Sequence, residues 1–266
     1  MTVKKTFPWI FKIRENQDQL VIALVDALEA RLRKRIFSSN SKPIGLATGR
    51  TMEPVYSLLV SRLKLWPDKE LEKLRKGWHS FNLDEYAGLS SNDETSFTNY
   101  MSKHLGIPLC LSPQKLCLPD GTAKDLQKAA NDYLFNWRLS GGISFQLLGL
   151  GLNGHVGFNE PPCYYNESCR VVKLSPSTIK QNSFAFGKDR DKVPSEAITL
   201  GIKEILSANE IHLIVLGKGK ARILNLLMNT LPIEDLPASW LKLHRRVFLW
   251  ADYEAFEEAV PELRKG

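Results

Sequence analysis

The segment from Gly149 to Pro161 holds the residue types best suited to proton transfer. His155 lies among glycines, Asn153 comes just before it, and Glu160 follows. An imidazole changes its charge near neutral pH, and a carboxylate bonded to one ring nitrogen fixes the tautomer and favours imidazolium. A single loop histidine is more often structural, but the three residues together predict a catalytic proton shuttle.

Asp84 and Glu85 provide a second source of chemistry, because they end a predicted strand at about residues 79–83. Adjacent side chains on a strand point to opposite faces, so only one of the two carboxylates can enter a given cleft. A half-buried carboxylate there suits a general base. The alternative interpretation is a helix or turn cap.

The loop from Thr48 through Gly49 and Arg50 to Thr51 joins a predicted strand to a predicted helix. A glycine lets the backbone approach an anion, a helix N-terminus offers free N–H groups, and a guanidinium suits phosphate. Lys220 stands at a similar strand-to-helix junction and is predicted to reach an anion bound at this loop. Ordinary glycine turns remain the alternative at both places.

The residue spacings indicate neither a structural zinc site nor the usual nucleotide-binding motifs. The four cysteines, Cys110, Cys117, Cys163 and Cys169, lack CxxC spacing and have no histidine pair at ligand spacing, which predicts isolated reduced thiols. The glycines after residue 148 superficially echo GxGxxG, but no acidic residue follows a strand at the offset typical of dinucleotide binding. The GK[ST] sequence that a Walker loop requires is absent from the loop Thr48–Thr51.

Apolar periodicity and glycine and proline positions predict the elements that hold these residues. Helices are predicted at about 16–35, 53–65, 95–105, 122–140 and 220–229, and strands at about 44–47, 79–83, 143–148, 170–174, 210–216 and 246–250. Alternation of strands and helices predicts an α/β fold, a three-layer, mostly parallel, Rossmann-like sheet with helices on both faces, forming a single domain over residues 1–266. The candidate residues follow strand ends, where ligands gather in such sheets.

Composition and charge indicate the compartment and the class of ligand. The chain has 266 residues and a formal net charge of +7, but the compact basic run Arg31–Arg35 ends a predicted helix, so we predict no nucleic-acid partner. No apolar run approaches the roughly 20 residues of a membrane span, and Met1–Ile13 does not resemble a signal peptide. A cytoplasmic protein without a membrane partner is therefore predicted, and homo-oligomerisation stays open.

Five stretches of the chain form a recognisable set of motifs. They are Phe81–Tyr86 (FNLDEY), Leu148–Pro161 (LGLGLNGHVGFNEP), Leu46–Gly49 (LATG), Val215–Gly217 with Lys220, and Pro237–Ser239 with Leu243 and His244. Together they resemble the glucosamine-6-phosphate deaminase family, within the larger group that includes 6-phosphogluconolactonase. The resemblance covers about residues 20–252.

The resemblance implies isomerisation of an amino-sugar phosphate followed by loss of ammonia, with no metal or cofactor. It places Asp84 as the proton acceptor and His155 in ring opening, supported by Glu160 and the residue at position 153. It also places Gly49, Thr51 and Lys220 at the substrate phosphate.

The chain departs from the family pattern at several positions. Asn153 replaces a common aspartate, and Phe184 stands where the family usually has an arginine that clamps phosphate. Arg50 replaces a small residue, and we hypothesise that it supplies the missing guanidinium from the opposite wall. Cys163 and Val172 replace polar residues of an allosteric site, which predicts no activation by N-acetylglucosamine 6-phosphate.

Two alternatives to a glucosamine-6-phosphate deaminase stay open at this point. One is a sister enzyme for another amino-sugar phosphate, such as galactosamine 6-phosphate. The other is a catalytically weak sugar-phosphate-binding regulator, which the phenylalanine at position 184 keeps in consideration.

Overall fold

The computed structural model describes residues 9–38 and 41–257. Most of the N-terminal stretch in which no signal peptide is predicted, and both ends of the predicted single domain, lie outside the described residues. No helix in the described part of the chain is both long enough and apolar enough to cross a membrane.

The strands follow one another along the described chain as short segments. They are β1 (Trp9–Arg14), β2 (Ile44–Leu46), β3 (Ser80–Asn82), β4 (Asp84–Tyr86), β5 (Leu116–Cys117), β6 (Gln146–Gly149), β7 (Arg170–Lys173), β8 (Glu196–Thr199), β9 (Ile211–Val215) and β10 (Val247–Asp252).

Seven of these strands form one sheet in the order β1-β10-β9-β6-β2-β3-β5, and all of its pairings are parallel. Every residue of β9 and β10 is buried. Strands of a parallel sheet are covered on both faces, which explains why they read as nearly continuous apolar runs. The predicted α/β fold with a mostly parallel sheet is confirmed.

Helices surround this sheet. They are α1 (Gln17–Ile36), α2 (Glu53–Leu63), α3 (Asp68–Gly77), α4 (Phe97–Met101), α5 (Ile107–Leu109), α6 (Leu126–Leu139), α7 (Pro176–Asn182), α8 (Ile202–Leu206), α9 (Ala221–Asn229) and α10 (Tyr253–Phe256). A π-helical turn, Ser102–Gly106, joins α4 to α5, so the helix predicted at 95–105 is divided.

Helix α1 shows how the sequence pattern specifies an element. The Asn16 side chain accepts a hydrogen bond from the Gln19 N–H at the N-terminus, and three basic residues occupy the last turn. The leucines at positions 20, 24, 28 and 32 are all buried in the main core. The predicted i, i+4 stripe is confirmed as the face of α1 that packs inward.

A second, antiparallel sheet has the order β4-β8-β7. Asp84 and Glu85, predicted at the end of the strand at about 79–83, lie instead on the separate strand β4. The strand predicted at about 170–174 is β7 and belongs to this antiparallel sheet rather than to the parallel one. Strand β8, for which no strand was predicted, pairs with both β4 and β7, so their common partner is not visible in the local pattern of either. This small sheet has its own apolar cluster, which includes Tyr86 and Phe158.

The strand order reverses between β6 and β2, which are neighbours in the main sheet. From β2 the chain proceeds to β3 and β5 on one side, and from β6 it proceeds to β9 and β10 on the other. Such a reversal opens a crevice beyond the carboxyl ends of the two strands, which is where ligands bind in open α/β sheets.

Candidate active site

A cavity of about 700 Å³ lies at this reversal of strand order. Seven of the nine predicted site residues line it: Thr48, Gly49, Arg50, Thr51, Asp84, His155 and Lys220. The other two, Asn153 and Glu160, lie behind His155. Loops that are far apart in the sequence therefore meet around one space.

The loop after β2 presents free backbone donors to this cavity. The Tyr56 hydroxyl donates to the Ala47 carbonyl at 2.5 Å, and the Tyr100 hydroxyl donates to the Gly49 carbonyl at 3.0 Å. Gly49 has a φ of 102°, which favours glycine. Within the described residues, the N–H groups from Gly49 to Thr51 donate no hydrogen bond. They are available to an anion.

Two cations complete this end of the cavity. Lys220 Nζ donates to the Leu150 carbonyl at 2.6 Å. Burial and the charge of Arg50 lower the pKa of Lys220 to about 8. The Arg50 guanidinium lies 4.9 Å from the centre of the Phe184 ring. We call the loop amides of residues 49–51, Arg50 and Lys220 the anion pole.

Asp84 lies on β4, opposite Thr199 of β8, and its side chain is almost fully buried. Burial and the charge of Glu85 raise the pKa of Asp84 to about 8, and the backbone of Phe158 offsets part of this rise. A carboxyl group with such a pKa is suited to accept a proton near neutral pH.

Glu85 points away from the cavity and caps α4. Its carboxylate accepts hydrogen bonds from the N–H groups of Tyr86 at 2.9 Å, Phe97 at 2.9 Å and Thr98 at 2.7 Å, and from the Thr98 hydroxyl at 2.8 Å. Burial raises the pKa of Glu85 above its ordinary value, and these hydrogen bonds offset part of that rise. The capping interpretation is therefore confirmed for Glu85, and Asp84 is the carboxyl group of the pair that lines the cavity.

The loop after β6 brings His155 to the cavity wall. A Cβ at Gly151 would lie 2.4 Å from the His155 ring, so only glycine leaves room for the imidazole. Gly157, two residues beyond His155, lies beside Asp84, because a Cβ there would be 3.3 Å from Asp84 Oδ2. This loop therefore holds the imidazole and also borders the carboxyl group.

Polar groups behind His155 fix its ring. His155 Nδ1 lies 3.2 Å from the Thr178 hydroxyl and 3.6 Å from Glu160 Oε2. Nε2 has no partner among the described residues. Asn153 donates to Glu160 Oε2 at 2.6 Å, and Ser175 donates to the same oxygen at 3.1 Å.

These contacts keep Glu160 ionised. Burial alone raises the pKa of Glu160, but the hydrogen bond and charge of His155, together with hydrogen bonds from Thr178 and Asn153, lower it to about 2. Thr178 was not predicted as a site residue. Ser175-Pro176 is a typical helix start and was the available signal for α7, which carries Thr178.

The chain is similar to known proteins over most of its length. The model of the family described as "Glucosamine-6-phosphate isomerases/6-phosphogluconolactonase" matches residues 15–250. The glucosamine-6-phosphate deaminase of Bacillus pumilus (strain SAFR-032) is 40% identical over 226 residues, covering 85% of this chain and 91% of that protein. Glucosamine-6-phosphate deaminase 2 of Bacillus subtilis (strain 168) is 37% identical over 231 residues, covering 86% and 90%.

Solved structures give the same relationship. A monomeric glucosamine-6-phosphate deaminase superposes with a TM-score of 0.85 at 33% identity, covering 94% of this chain and 99% of that one. The 6-phosphogluconolactonase of Leishmania guyanensis has a TM-score of 0.72 at 22% identity, covering 96% and 100%, a likeness of fold alone.

Proposed function

We propose that this chain, which belongs to the family of glucosamine-6-phosphate isomerases and 6-phosphogluconolactonases, converts glucosamine 6-phosphate and water into fructose 6-phosphate and ammonia. The observation that carries the proposal is that Asp84, His155 and the anion pole line one cavity. The relatives named as deaminases support the same substrate.

The anion pole binds the substrate phosphoryl group in this proposal. The loop amides, the hydroxyls of Thr48 and Thr51, and the two cations offer hydrogen bonds and positive charge together. Anchoring the phosphoryl group fixes one end of the sugar in the cavity, so C1 and C2 are held near Asp84 and His155 and less orientational freedom is lost during the reaction.

His155 opens the pyranose ring. The C1 hydroxyl loses its proton as the ring oxygen gains one, and the C1–O5 bond breaks to give the open-chain aldehyde. Nε2 is the ring nitrogen without a protein partner in the described structure, so it exchanges the proton. The negative charge of Glu160 stabilises the imidazolium that forms, and Asn153 holds Glu160 by its hydrogen bond.

Asp84 then moves a proton from C2 to C1. The neighbouring aldehyde makes the C2 proton acidic, and its removal as O1 gains a proton gives an enolamine. Returning the C2 proton to C1, with loss of one N–H proton from the amino group, produces an imine at C2, so the proton gained by O1 is balanced by the one lost from nitrogen. Water adds to this imine and ammonia leaves, which yields the 2-ketone. One water is consumed and one ammonia released, with no net oxidation.

We also propose that the reaction takes place in the cytoplasm. The structure describes all four cysteines as free thiols, and free thiols suit a reducing compartment.

Ammonia release tests the proposal directly. The purified protein should release ammonia from glucosamine 6-phosphate in preference to its 4-epimer. The Asp84→Asn variant should lose at least about 10²-fold in kcat, because an amide cannot accept the C2 proton. The variant should still bind inorganic phosphate.

Three results would count against this function. Preference for the 4-epimer would favour the sister enzyme, phosphate binding without turnover of either sugar would favour a regulator, and hydrolysis of 6-phosphogluconolactone would indicate the other activity of the family. Circular dichroism on each variant separates lost chemistry from lost folding.

A further inference from the structure

Phe184 is an unusual residue at the cavity because it is 57% exposed, whereas Phe186 in the same turn is buried. Phe184 lies in the 3₁₀ turn Ser183–Phe186 that follows α7. Its ring contacts the Arg50 guanidinium, which comes from the loop after β2. The contact therefore joins two loops that border the cavity, and it uses an exposed aromatic face rather than a buried one.

The turn that carries Phe184 is held in place on both sides. Gln181 accepts a hydrogen bond from the Leu152 N–H at 3.2 Å, and Asn182 donates to the Tyr86 hydroxyl at 2.8 Å. After the turn, Gly187 adopts a φ of 67° and the Lys188 N–H donates to the Ser183 carbonyl at 2.7 Å. Phe184 is thus presented from a fixed backbone.

The Arg50 side chain has no competing partner. Among the described residues it forms no hydrogen bond and no ion pair, although its guanidinium carries five N–H donors. Its side chain is exposed to solvent and lines the cavity beside Lys220. Within the described structure neither Arg50 nor Lys220 forms an ion pair with a carboxylate, although Glu53 also lines the cavity. Two unpaired cations at one end of a cavity repel each other, and an anionic ligand relieves that repulsion.

We propose that Phe184 is a positioning residue for phosphoryl recognition, because its ring holds the Arg50 guanidinium at the anion pole. An aromatic ring attracts the cation without using its N–H donors, so these donors stay free to bind phosphate oxygens in a fork. A carboxylate in the same position would hold the guanidinium but would occupy its donors. The inference rests on the proposed function, which it deepens by naming what orients the arginine.

A double-mutant cycle on the full chain tests this role, with inorganic phosphate as the probe and isothermal titration calorimetry as the measurement. Phe184→Leu removes the aromatic face and keeps an apolar side chain, and the phosphate Kd should rise about two- to fivefold, as expected for one exposed cation–π contact. Phe184→Trp should restore tight binding. In an Arg50→Ala background, Phe184→Leu should change the Kd no further.

Phe37→Leu is a matched control. Phe37 is 68% exposed and has Lys73 Nζ 5.3 Å from its ring centre, but it does not line the cavity. Its substitution should leave the phosphate Kd unchanged. Any of three results would overturn the inference. Phe184→Leu could change the phosphate Kd equally with and without Arg50, it could leave the Kd unchanged in the otherwise unaltered protein, or Phe184→Trp could fail to restore binding.

Catalysis gives a second readout. A residue that only orients a phosphate ligand should raise KM in Phe184→Leu more than it lowers kcat. Binding of inorganic phosphate can be measured without turnover of a sugar. The proposed deaminase activity and the proposed role of Phe184 can therefore be refuted independently. A coupled cycle in a protein that releases no ammonia would remove only the deaminase proposal, whereas additive effects in an active enzyme would remove only the role of Phe184.

Discussion

Glu85→Gln separates the two roles of the acidic pair, because Glu85 both caps α4 and raises the pKa of Asp84. The substitution keeps the size and shape of the side chain. It removes the negative charge and replaces one carboxylate oxygen with an NH₂ group. Stability and catalysis should therefore change for different reasons.

The stability change follows from the hydrogen bonds. One carboxylate oxygen accepts from Tyr86 and Phe97, and the other accepts twice from Thr98. If the amide nitrogen faces Thr98, the hydroxyl can rotate to accept from it, but the Thr98 N–H is left unpaired. A buried unpaired donor costs about 1–3 kcal/mol, which for a protein of this size lowers Tm by roughly 2–12 °C.

The catalytic change follows from the charge. Two unit charges roughly 8 Å apart at an effective dielectric constant of about 20 repel by about 2 kcal/mol, or about 1.5 pH units. Removing Glu85's charge lowers the pKa of Asp84 from its value of about 8. Asp84 then ionises at lower pH, so the acidic limb of kcat/KM should move down by about 1–1.5 pH units.

The assay is ammonia release as a function of pH, combined with thermal unfolding of each variant. Glu204→Gln is the matched control, because Glu204 is buried and accepts hydrogen bonds from the Gly201 N–H at 3.1 Å and the Ser168 hydroxyl at 2.6 Å, outside the cavity. It should lower Tm without moving the acidic limb. An unmoved limb in Glu85→Gln would refute the assignment of this limb to Asp84.

Three further predictions concern other titrating groups. Burial and Arg50 lower the pKa of Lys220 to about 8, so kcat/KM should fall above that pH as Lys220 loses its charge, and Lys220→Arg should move this alkaline limb upward. Ionisation of the substrate affects the unchanged protein and Lys220→Arg equally. Identical alkaline limbs in the two proteins would therefore exclude Lys220 as the group that titrates there. Glu160→Gln should lower kcat for ammonia release by about 10²-fold through loss of the charge beside the imidazolium, and a change below about threefold would contradict this. Burial lowers the pKa of His212, which accepts a hydrogen bond from Trp250 at 3.0 Å and stays neutral in the fold. In the unfolded chain, His212 binds a proton below about pH 6.5, so the free energy of unfolding should fall on acidification. Measured by urea unfolding, this fall should be steeper than in His212→Gln by up to about 1.4 kcal/mol per pH unit. Parallel pH dependences in the two proteins would contradict a neutral His212 in the fold.

The sequence by itself determined the strands of the main sheet other than β1 and β5, and the identity of the polar residues at its carboxyl edge. The leucine stripe of α1 and the apolar runs of β9 and β10 are local patterns, and each follows from burial of one face or of both. The loop after β2 and the segment around His155 were identified because glycine, histidine and threonine have distinctive backbone and side-chain properties. These properties are visible in a single residue and its neighbours.

Tertiary structure alone decided which groups touch. The antiparallel sheet that holds Asp84 depends on pairing with β8, more than a hundred residues later, and no local pattern encodes such a partner. The pKa values of Asp84 and Lys220 depend on burial and on charges brought close by folding. The contact of Arg50 with Phe184 likewise joins two distant loops. Residue type sets what a side chain can do, but distance and burial, which only folding creates, set what it does.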